Sequence, residues 1–405
     1  RVGLITAALW SIAPFSVTFA IGGLETSVYV FWLVFTCFMY LKKEYLLGAI
    51  GAAFALLTRP DALILLGPIF FLRFVDIILK KASLNWREIV AFTIPIGSWI
   101  IFSTLYFGSP LPHSVQAKLL TYQLGPLEGT IRLLQHYATP FLDSNWGGSI
   151  AIGIGLFLYP FLFVIGSLKA IREDWHSIQI FAYPVLYFCV FAIANPLIFR
   201  WYLTPPLPLY FLGIILGGEK IILDLTKKVK WKWVEPVLVG VVIFTYPFLS
   251  TLSEWVWKPD HGTSTTAPEM SFVRLELLYQ KVSGMILKDN DYTKSCVVAA
   301  GDVGVLGFFT EARILDTVGL NSPQSLMYYP LPENDYVINY AIPAKLILNE
   351  KPDYFVLLDV YGRNTILQNP DFQLQYSLLK SIPTDIYGSE SMLLYKRNDI
   401  KCGVK

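Results

Sequence analysis

Charged residues are scarce in this sequence. Only 15% of its 405 residues are Asp, Glu, Lys or Arg, whereas 54% are hydrophobic and the mean hydropathy is +0.52. A soluble domain usually carries about 25% charged residues. The composition therefore excludes an ordinary soluble protein and indicates a polytopic membrane protein.

Several familiar catalytic and ligand-binding motifs are also missing. The sequence contains no P-loop, no HExxH, no GxSxG and no basic stripe that would bind nucleic acid. Gly301, Gly304 and Gly307 follow an apolar run, but their spacing is GxxGxxG rather than the GxGxxG of a dinucleotide loop. A tight strand-to-helix turn explains these glycines better, and we expect no nucleotide cofactor.

Cysteine is rare, and its four positions show no metal-ligand spacing. We therefore predict no metal site. Cys37 and Cys189 lie in apolar segments, where a small buried hydrophobic side chain is the expected role. Cys296 and Cys402 can pair only if the C-terminal region lies in an oxidising compartment.

Long apolar segments dominate the first 250 residues. Several are shorter than the roughly 17–25 residues of an ordinary span, and Gly and Pro interrupt some of them, as in helices that line a polar cavity. They predict about nine transmembrane helices: Gly3–Ile21, Thr26–Leu41, Tyr45–Leu57, Ala62–Val75, Ile89–Phe107, Ser149–Leu168, Ser177–Ala194, Leu203–Gly217 and Val234–Ser250.

The basic residues predict the orientation of these helices. Connections on the side of Lys42 and Lys43 hold thirteen Lys and Arg residues, against four on the other side. Cytoplasmic loops carry the excess of Lys and Arg, so the Lys42 side is predicted to be cytoplasmic and everything after Ser250 to be outside. An integral protein of a bacterial plasma membrane is the expected location.

The composition changes after residue 250. Trp255, Trp257 and the run Gly262–Pro268 are typical of an interfacial anchor and linker. Beyond them we predict a small extracytoplasmic α/β domain, with helices at 269–288 and 337–351 and strands at 295–301, 314–317, 353–360 and 391–396. The predicted organisation is a transmembrane domain (1–250), a linker (251–268) and this α/β domain (269–405).

The tetrad Thr58-Arg59-Pro60-Asp61 interrupts the apolar stretch from Tyr45 to Val75. One helix across the stretch to Leu79 would be roughly 50 Å long, against a hydrocarbon core of about 30 Å. Two short helices hinged at Pro60 fit better. Burying Arg59 and Asp61 at the bilayer centre would cost about 2.5–3.5 kcal/mol each, so a function at the membrane edge is expected.

Polar side chains gather on the predicted outer face. Arginine offers phosphate oxygens a planar fork and lysine a point charge, while carboxylates accept hydrogen bonds from sugar hydroxyls. A lipid-linked phosphate sugar is therefore the expected ligand of this set: Glu25, Arg59, Asp61, His113, Gln116, Lys118, Arg132, His136, Asp143, Arg200 and Tyr202.

Each of these residues also has a structural explanation. Arg59 and Asp61 can form an ion pair that holds the hinge, and Arg200 can anchor the chain at the membrane interface. His113 can be an ordinary hydrogen-bonding loop residue, and Glu25 suits the start of a helix. Arg132 and His136 lie four residues apart, as on one solvated face of a helix.

Six stretches of the chain resemble polytopic C-type glycosyltransferases (the GT-C fold). The similarity is strongest to the bacterial branch related to protein mannosyltransferases, aminoarabinose transferases and arabinofuranosyltransferases. It covers nearly the whole chain and lies in GGLETSVYVFWL (22–33), LLTRPDALILL (56–66), YFGSPLPHSVQAK (106–118), FRWYLTPPLP (199–208), VAAGDVGVLGFFTEARILDTVGLNSP (298–323) and KPDYFVLL (351–358).

The resemblance implies a membrane enzyme of the cell envelope that transfers a sugar from a polyprenyl-phosphate donor to an acceptor hydroxyl outside the membrane. It implies donor-phosphate binding by Arg59, Lys118 and Arg200, and substrate contacts by Glu25, Asp61, His113 and Tyr202. The family's acidic first external loop, which carries the general base, is expected upstream of Arg1. The catalytic base is therefore not predicted within this sequence.

Two other functions are consistent with the same residues. A non-catalytic membrane subunit would keep the fold and bind partner proteins through its external domain, with Arg59 held in ion pairs. A transporter would show related halves and charges near the midplane, neither of which the sequence has. The expected partners are the bilayer, the lipid-linked sugar donor and further membrane subunits, and no nucleic acid is expected as a partner.

Overall fold

The computed structural model describes residues 1–83, 85–227, 237–253, 255, 271–290, 293–400 and 402. The chain forms two compact units. The first comprises Arg1–Pro110 and Pro126–Trp257, and the second comprises Leu111–Gly125 and Lys258–Lys405. This division differs from the predicted domains in one respect, because a segment from the middle of the first 250 residues belongs to the second unit.

The described chain is mostly helical. A π-helix at Val239–Thr245 leads directly into the twelfth α-helix. In chain order the α-helices are α1 (Val2–Ile12), α2 (Pro14–Ile21), α3 (Thr26–Leu41), α4 (Tyr45–Thr58), α5 (Leu63–Ile78), α6 (Trp86–Phe107), α7 (His113–Leu120), α8 (Glu128–Ala138), α9 (Ser144–Glu173), α10 (Ile178–Ala194), α11 (Leu207–Thr226), α12 (Tyr246–Ser253), α13 (Ser271–Asp289), α14 (Gly304–Thr310), α15 (Ala344–Glu350) and α16 (Pro370–Gln375).

All nine predicted apolar segments are helical over most of their length, but nine membrane spans are not supported. Three described helices are long and apolar enough to cross a bilayer, or four if α1 and α2, bent by 54°, count as one span. The helices α3 and α4 have only 16 and 14 residues, and α11 carries three charged residues in its second half. The long apolar helices are compatible with a membrane protein.

The first unit has a close-packed interior and an apolar exterior. Helices α9 and α11 approach so closely that a Cβ atom added at Gly217 would lie 1.9 Å from the carbonyl oxygen of Leu162. Small residues allow this approach of helix backbones, which is common within bilayers. On the exterior, Leu105 and Ile193 are more than four-fifths exposed. Such surfaces are stable when lipid rather than water covers them.

The second unit contains one mixed sheet. Strand β1 lies between β2 and β3 and is parallel to both, whereas β5 is antiparallel to both β3 and β4, giving the order β2-β1-β3-β5-β4. The chain leaves β1 for one neighbour and later returns to the other, so β1 and β3 meet at a topological switch point. The strands are β1 (Val297–Ala300), β2 (Arg313–Asp316), β3 (Tyr354–Leu358), β4 (Tyr376–Pro383) and β5 (Ser391–Arg397).

Most predicted elements of this unit are confirmed. Four predicted strands and the long helix α13 are present, and Gly301 to Gly304 form the expected tight turn between β1 and α14. The predicted helix 337–351 is wrong in its first half, since helix begins only at Ala344, after Pro343. Strand β4 was not predicted.

The cysteines differ from their predicted roles in one case. Cys296, before β1, forms a disulfide with Cys402, 106 residues later. Cys37 is buried as predicted, whereas Cys189 is exposed on the surface of α10, so its predicted burial is wrong. Whether a residue of an apolar helix is exposed depends on which side of the helix it occupies, and not on its residue type.

Candidate functional site

The predicted hinge at Pro60 is present. Helix α4 ends at Thr58, Arg59 adopts an extended backbone conformation (φ −149°, ψ 133°), and a 3-10 turn at Pro60–Ala62 leads into α5. The residue before a proline is disfavoured in helical conformation, and proline itself is suited to the first helical position. The sequence Arg-Pro therefore ends one helix and begins the next, and the corner holds the Arg59 side chain inside the unit.

All three nitrogens of the Arg59 guanidinium donate to carboxylates. Its Nε and Nη2 donate to the two oxygens of Asp61 at 2.9 and 3.0 Å, and its Nη1 donates to Oε1 of Glu25 at 3.3 Å. Arg59 is buried, and the side chain of Asp61 is 13% exposed. One cation faces two anions, so the cluster carries a formal charge of −1.

Aromatic side chains enclose this cluster. The guanidinium carbon of Arg59 lies 5.4 Å from the ring centre of Tyr29 and 4.7 Å from that of Tyr202. The hydroxyl of Tyr187 donates to the carbonyl oxygen of Tyr202 at 2.8 Å and lies 3.3 Å from Oδ2 of Asp61. Cation–π contacts and hydrogen bonds therefore fix Arg59 and Asp61 in place.

This arrangement favours the structural ion pair for Arg59 and Asp61. All three guanidinium nitrogens donate to carboxylates, and these bonds use three of its five N–H groups, so a phosphate would compete with Asp61 and Glu25 for this cation. Donor-phosphate binding by Arg59 stays a prediction. Glu25 differs from its partners, because its side chain is 45% exposed and can still accept hydrogen bonds from a substrate hydroxyl.

Two arginines, Arg132 and Arg200, lie near the start of the turn that ends at Tyr202. Arg200 begins the 3-10 turn Arg200–Tyr202. Partial burial and the nearby charge of Arg200 lower the pKa of Arg132, and Glu128 acts in the opposite sense. Arg132 and Arg200 therefore lie near enough for their charges to interact, and such a pair favours an anion as ligand. Arg132 is exposed, as expected of a solvated helix face, whereas His136 is buried and the same expectation is wrong for it.

Helix α8 is held against the turn by His136. Its Nε2 lies 2.8 Å from the carbonyl oxygen of Leu203, next to Tyr202. Burial lowers the pKa of His136 to about 4, so the ring is neutral at physiological pH and donates to this carbonyl. Arg132 and His136 lie four residues apart and so share one face of α8. The contact of His136 with Leu203 therefore also holds Arg132 near this turn.

The remaining predicted site residues are His113 and Lys118. Both lie on α7, which belongs to the second unit, and both are partly exposed. A shared binding site of His113 and Lys118 with Arg59, Asp61 and Arg200 stays a prediction.

Ionisable groups of the second unit converge at the carboxyl ends of the parallel strands. Asp302 follows β1, and burial together with the charges of Glu276 and Asp316 raises its pKa to about 6, against the effect of a hydrogen bond from Tyr279. Ligands of open α/β sheets bind at such strand ends. The charge of Asp302 raises the pKa of three tyrosines that are partly or largely exposed, namely Tyr122, Tyr361 and Tyr387, although burial is the larger cause for each.

The second unit is expected to gain stability as the pH falls through 6. The folded-state pKa of Asp302, about 6, lies above its ordinary value of 3.8, so the ionised carboxylate destabilises the fold at neutral pH. Asp302→Asn should raise the unfolding free energy at pH 7.5 by about 1–3 kcal/mol, and this gain should shrink towards pH 4.

Thermal unfolding of both proteins at pH 7.5, 6.0 and 4.5 measures this effect. The exposed carboxylate of Asp371, at the start of α16, provides the matched control Asp371→Asn. A pH-independent difference between wild type and Asp302→Asn would contradict the assignment.

The described residues offer no convincing metal site. Cys296, Cys402 and Asp353 lie within ligand distance of one another, but both sulfur atoms belong to a disulfide and are not thiolates. At the strand ends, the two carboxylate oxygens of Asp316 accept backbone N–H groups of Val318 and Asn321. The carboxylates left there are too few for the six or more oxygen ligands of Ca²⁺.

Comparison with known proteins finds a similarity for only one part of the chain. Residues 273–395 match the model of a family described as a domain of unknown function (DUF8728). No curated protein and no solved structure matches the chain. The match lies within the second unit and assigns no function to the helical unit.

Proposed function

We propose that this protein is a membrane glycosyltransferase that moves a sugar from a polyprenyl-phosphate donor to an acceptor hydroxyl on the extracytoplasmic face. The observation that carries the proposal is the turn Arg200–Tyr202. At its start Arg200 lies near enough to Arg132 for the two charges to interact, and at its end the ring of Tyr202 contacts Arg59, whose partner Glu25 is exposed. The proposed anion site and an exposed carboxylate thus lie at the two ends of one three-residue turn.

The two ends of this turn suit the two halves of the reaction. The acceptor oxygen attacks the anomeric carbon, the bond from that carbon to the phosphate oxygen breaks, and the acceptor proton passes to a base. Arg132 and Arg200 would bind the phosphate and stabilise the negative charge that grows on it as it leaves. Glu25 would accept a hydrogen bond from a sugar or acceptor hydroxyl and orient it.

Two independent observations support an extracytoplasmic location of the second unit. The excess of basic residues predicts that the Lys42 end faces the cytoplasm. The disulfide between Cys296 and Cys402 is of a kind that forms in oxidising compartments, outside the bacterial cytoplasm. Both supports give the second unit the same extracytoplasmic location.

Replacing either arginine of the pair is expected to weaken donor binding. Arg132→Gln or Arg200→Gln should raise the KM for a radiolabelled polyprenyl-phosphate sugar about 10- to 100-fold, since one charge-assisted contact contributes about 1.5–3 kcal/mol. The full-length protein in proteoliposomes, tested with a panel of hexosyl and pentosyl donors, provides the measurement. Arg313→Gln, at an exposed position on β2, is the control and should leave KM unchanged.

A non-catalytic membrane subunit is the second candidate, and the pairing of Arg59 with two carboxylates favours it. It predicts no sugar transfer from any donor and unchanged affinity for polyprenyl phosphate in both arginine variants. Co-purification of a stable partner, lost when the second unit is altered, would then support this alternative.

A further inference from the structure

Three connections between helices of the first unit meet at one end. Nε2 of His176, in the connection from α9 to α10, lies 2.8 Å from Oδ2 of Asp76 near the end of α5. In the same connection the pKa of Asp174 is lowered mainly by hydrogen bonds from His176, and the charge of Lys43, in the turn between α3 and α4, acts in the same direction. The contact of His176 with Asp76 brings together two connections whose residues lie 100 positions apart in the sequence.

A buried arginine fixes the third connection in the same place. Arg73 donates to both carboxylate oxygens of Glu88 at 3.1 and 2.8 Å and to the carbonyl oxygen of Ser83 at 2.7 Å. Its guanidinium carbon also lies 3.6 Å from the ring centre of Tyr45, directly after the Lys42-Lys43 turn. The turn from α5 to α6 is therefore held beside the turn from α3 to α4.

The surface at this end is positively charged. The acids that lie deeper, Asp76 and Glu88, are already paired with His176 and Arg73. Three exposed acids lie here, namely Glu44, Glu173 and Asp174, against six exposed cations. We call these six residues the basic end: Lys42, Lys43, Lys80, Lys81, Arg87 and Arg172.

Two tryptophans mark the level of a membrane interface at the basic end. Trp86, at the start of α6, is 67% exposed, and Trp175, in the connection from α9 to α10, is 54% exposed. Tryptophan is enriched where the polar headgroups begin, because its ring is apolar and its N–H is polar. The cations beside Trp86 and Trp175 therefore lie at headgroup depth if the apolar helices α6 and α10 span the bilayer.

We propose that the basic end binds the anionic phospholipid headgroups of the cytoplasmic leaflet. Juxtamembrane Lys and Arg residues attract anionic lipid. Flexible lysines dominate the set, which suits a fluid layer of phosphodiesters better than one bidentate ligand. The inference rests on the membrane placement proposed above but not on sugar transfer.

Lipid retention tests this inference. The full-length protein, released from nanodiscs of palmitoyl-oleoyl phosphatidylcholine with one-third phosphatidylglycerol, is examined by native mass spectrometry. A variant with Lys42, Lys43, Lys80 and Lys81 changed to Gln should retain at least fivefold less phosphatidylglycerol than wild type, with phosphatidylcholine unchanged. The matched control changes four exposed lysines of the second unit to Gln, namely Lys281, Lys288, Lys345 and Lys380, and should retain as much as wild type.

Three results would overturn the inference. They are equal retention by the basic-end variant and wild type, equal loss in the control, and complete displacement of the lipid by soluble inositol hexakisphosphate, which would indicate a site for a free polyphosphate. Failure of sugar transfer would leave the lipid result intact, so the two proposals fail separately. Unchanged unfolding temperatures of the variants in detergent show that folding is not the cause.

Discussion

Replacing Glu25 with glutamine is expected to lower kcat/KM for sugar transfer about 10- to 100-fold. The expectation follows from the loss of one charge-assisted hydrogen bond to a substrate hydroxyl, which contributes about 1.5–3 kcal/mol. Glutamine keeps an amide oxygen that can accept the contact from Nη1 of Arg59, so the hinge should stay folded. The full-length protein in proteoliposomes, with the donor panel used for the arginine pair, gives the measurement.

The pH profile of the Glu25→Gln variant separates two roles for this carboxylate. If Glu25 only orients a hydroxyl, the variant loses rate but keeps the acidic limb of the wild-type profile. If Glu25 is the proton acceptor, the loss grows towards 10²–10⁴-fold and the acidic limb disappears. Glu333→Gln, on an exposed turn of the second unit, is the control. Wild-type kinetics in Glu25→Gln would contradict a role in substrate binding.

Removal of the disulfide is expected to destabilise the second unit by about 2–5 kcal/mol, in the range found for native disulfides. The bond joins residues 106 positions apart, so it restricts a long loop in the unfolded chain. In Cys296→Ala/Cys402→Ala we expect the apparent Tm of this unit to fall by roughly 5–15 °C. Cys189→Ser, at an exposed position of the other unit, should not change it.

Thiol titration tests the pairing directly. Under denaturing conditions without reductant, wild type should react at two cysteines, Cys37 and Cys189, and at four after reduction. Four reactive thiols before reduction would show that the pair is not formed in the cell. The same result would remove one of the two supports for an extracytoplasmic second unit.

Local sequence rules predicted the helices and the hinge well. Apolar runs bounded by lysine turns gave the nine helical segments, and Arg59-Pro60 gave the break between α4 and α5. Such features depend on residues close in sequence. The number of membrane spans does not, since a helix as short as α4 can be apolar without crossing a bilayer.

The misses in the second unit also have physical causes. Strand β4 lies at the edge of the sheet, five consecutive residues of it are exposed, and a bulge lies between Leu378 and Lys380. Its sequence therefore lacks the alternation that marks a half-buried strand. Tyr340 to Ile342 are buried outside any helix, directly before Pro343, where apolar residues alone suggested helix.

The candidate site was predicted in part. The sequence found Glu25, Arg59, Asp61, Arg200 and Tyr202, and three of them, Glu25, Asp61 and Tyr202, meet around the Arg59 guanidinium. It could not show that Glu25 joins Asp61 in pairing with Arg59, because pairing across 34 residues depends on how α3 packs against the hinge. The approach of Arg132 to Arg200 has no sequence signal either, since the two lie on separate elements.

The segment Leu111–Gly125 has a practical consequence for work on the second unit. Its Gln123 N–H donates to the carbonyl oxygen of Asn339, and its Tyr122 ring lies 5.8 Å from that of Tyr340. A recombinant fragment cut from the C-terminal half would lack this piece and expose an aromatic face to water. A soluble version would need the fifteen missing residues joined to it as a graft. Exchange of the C-terminal half between homologues would likewise succeed only when this inserted stretch is exchanged with it.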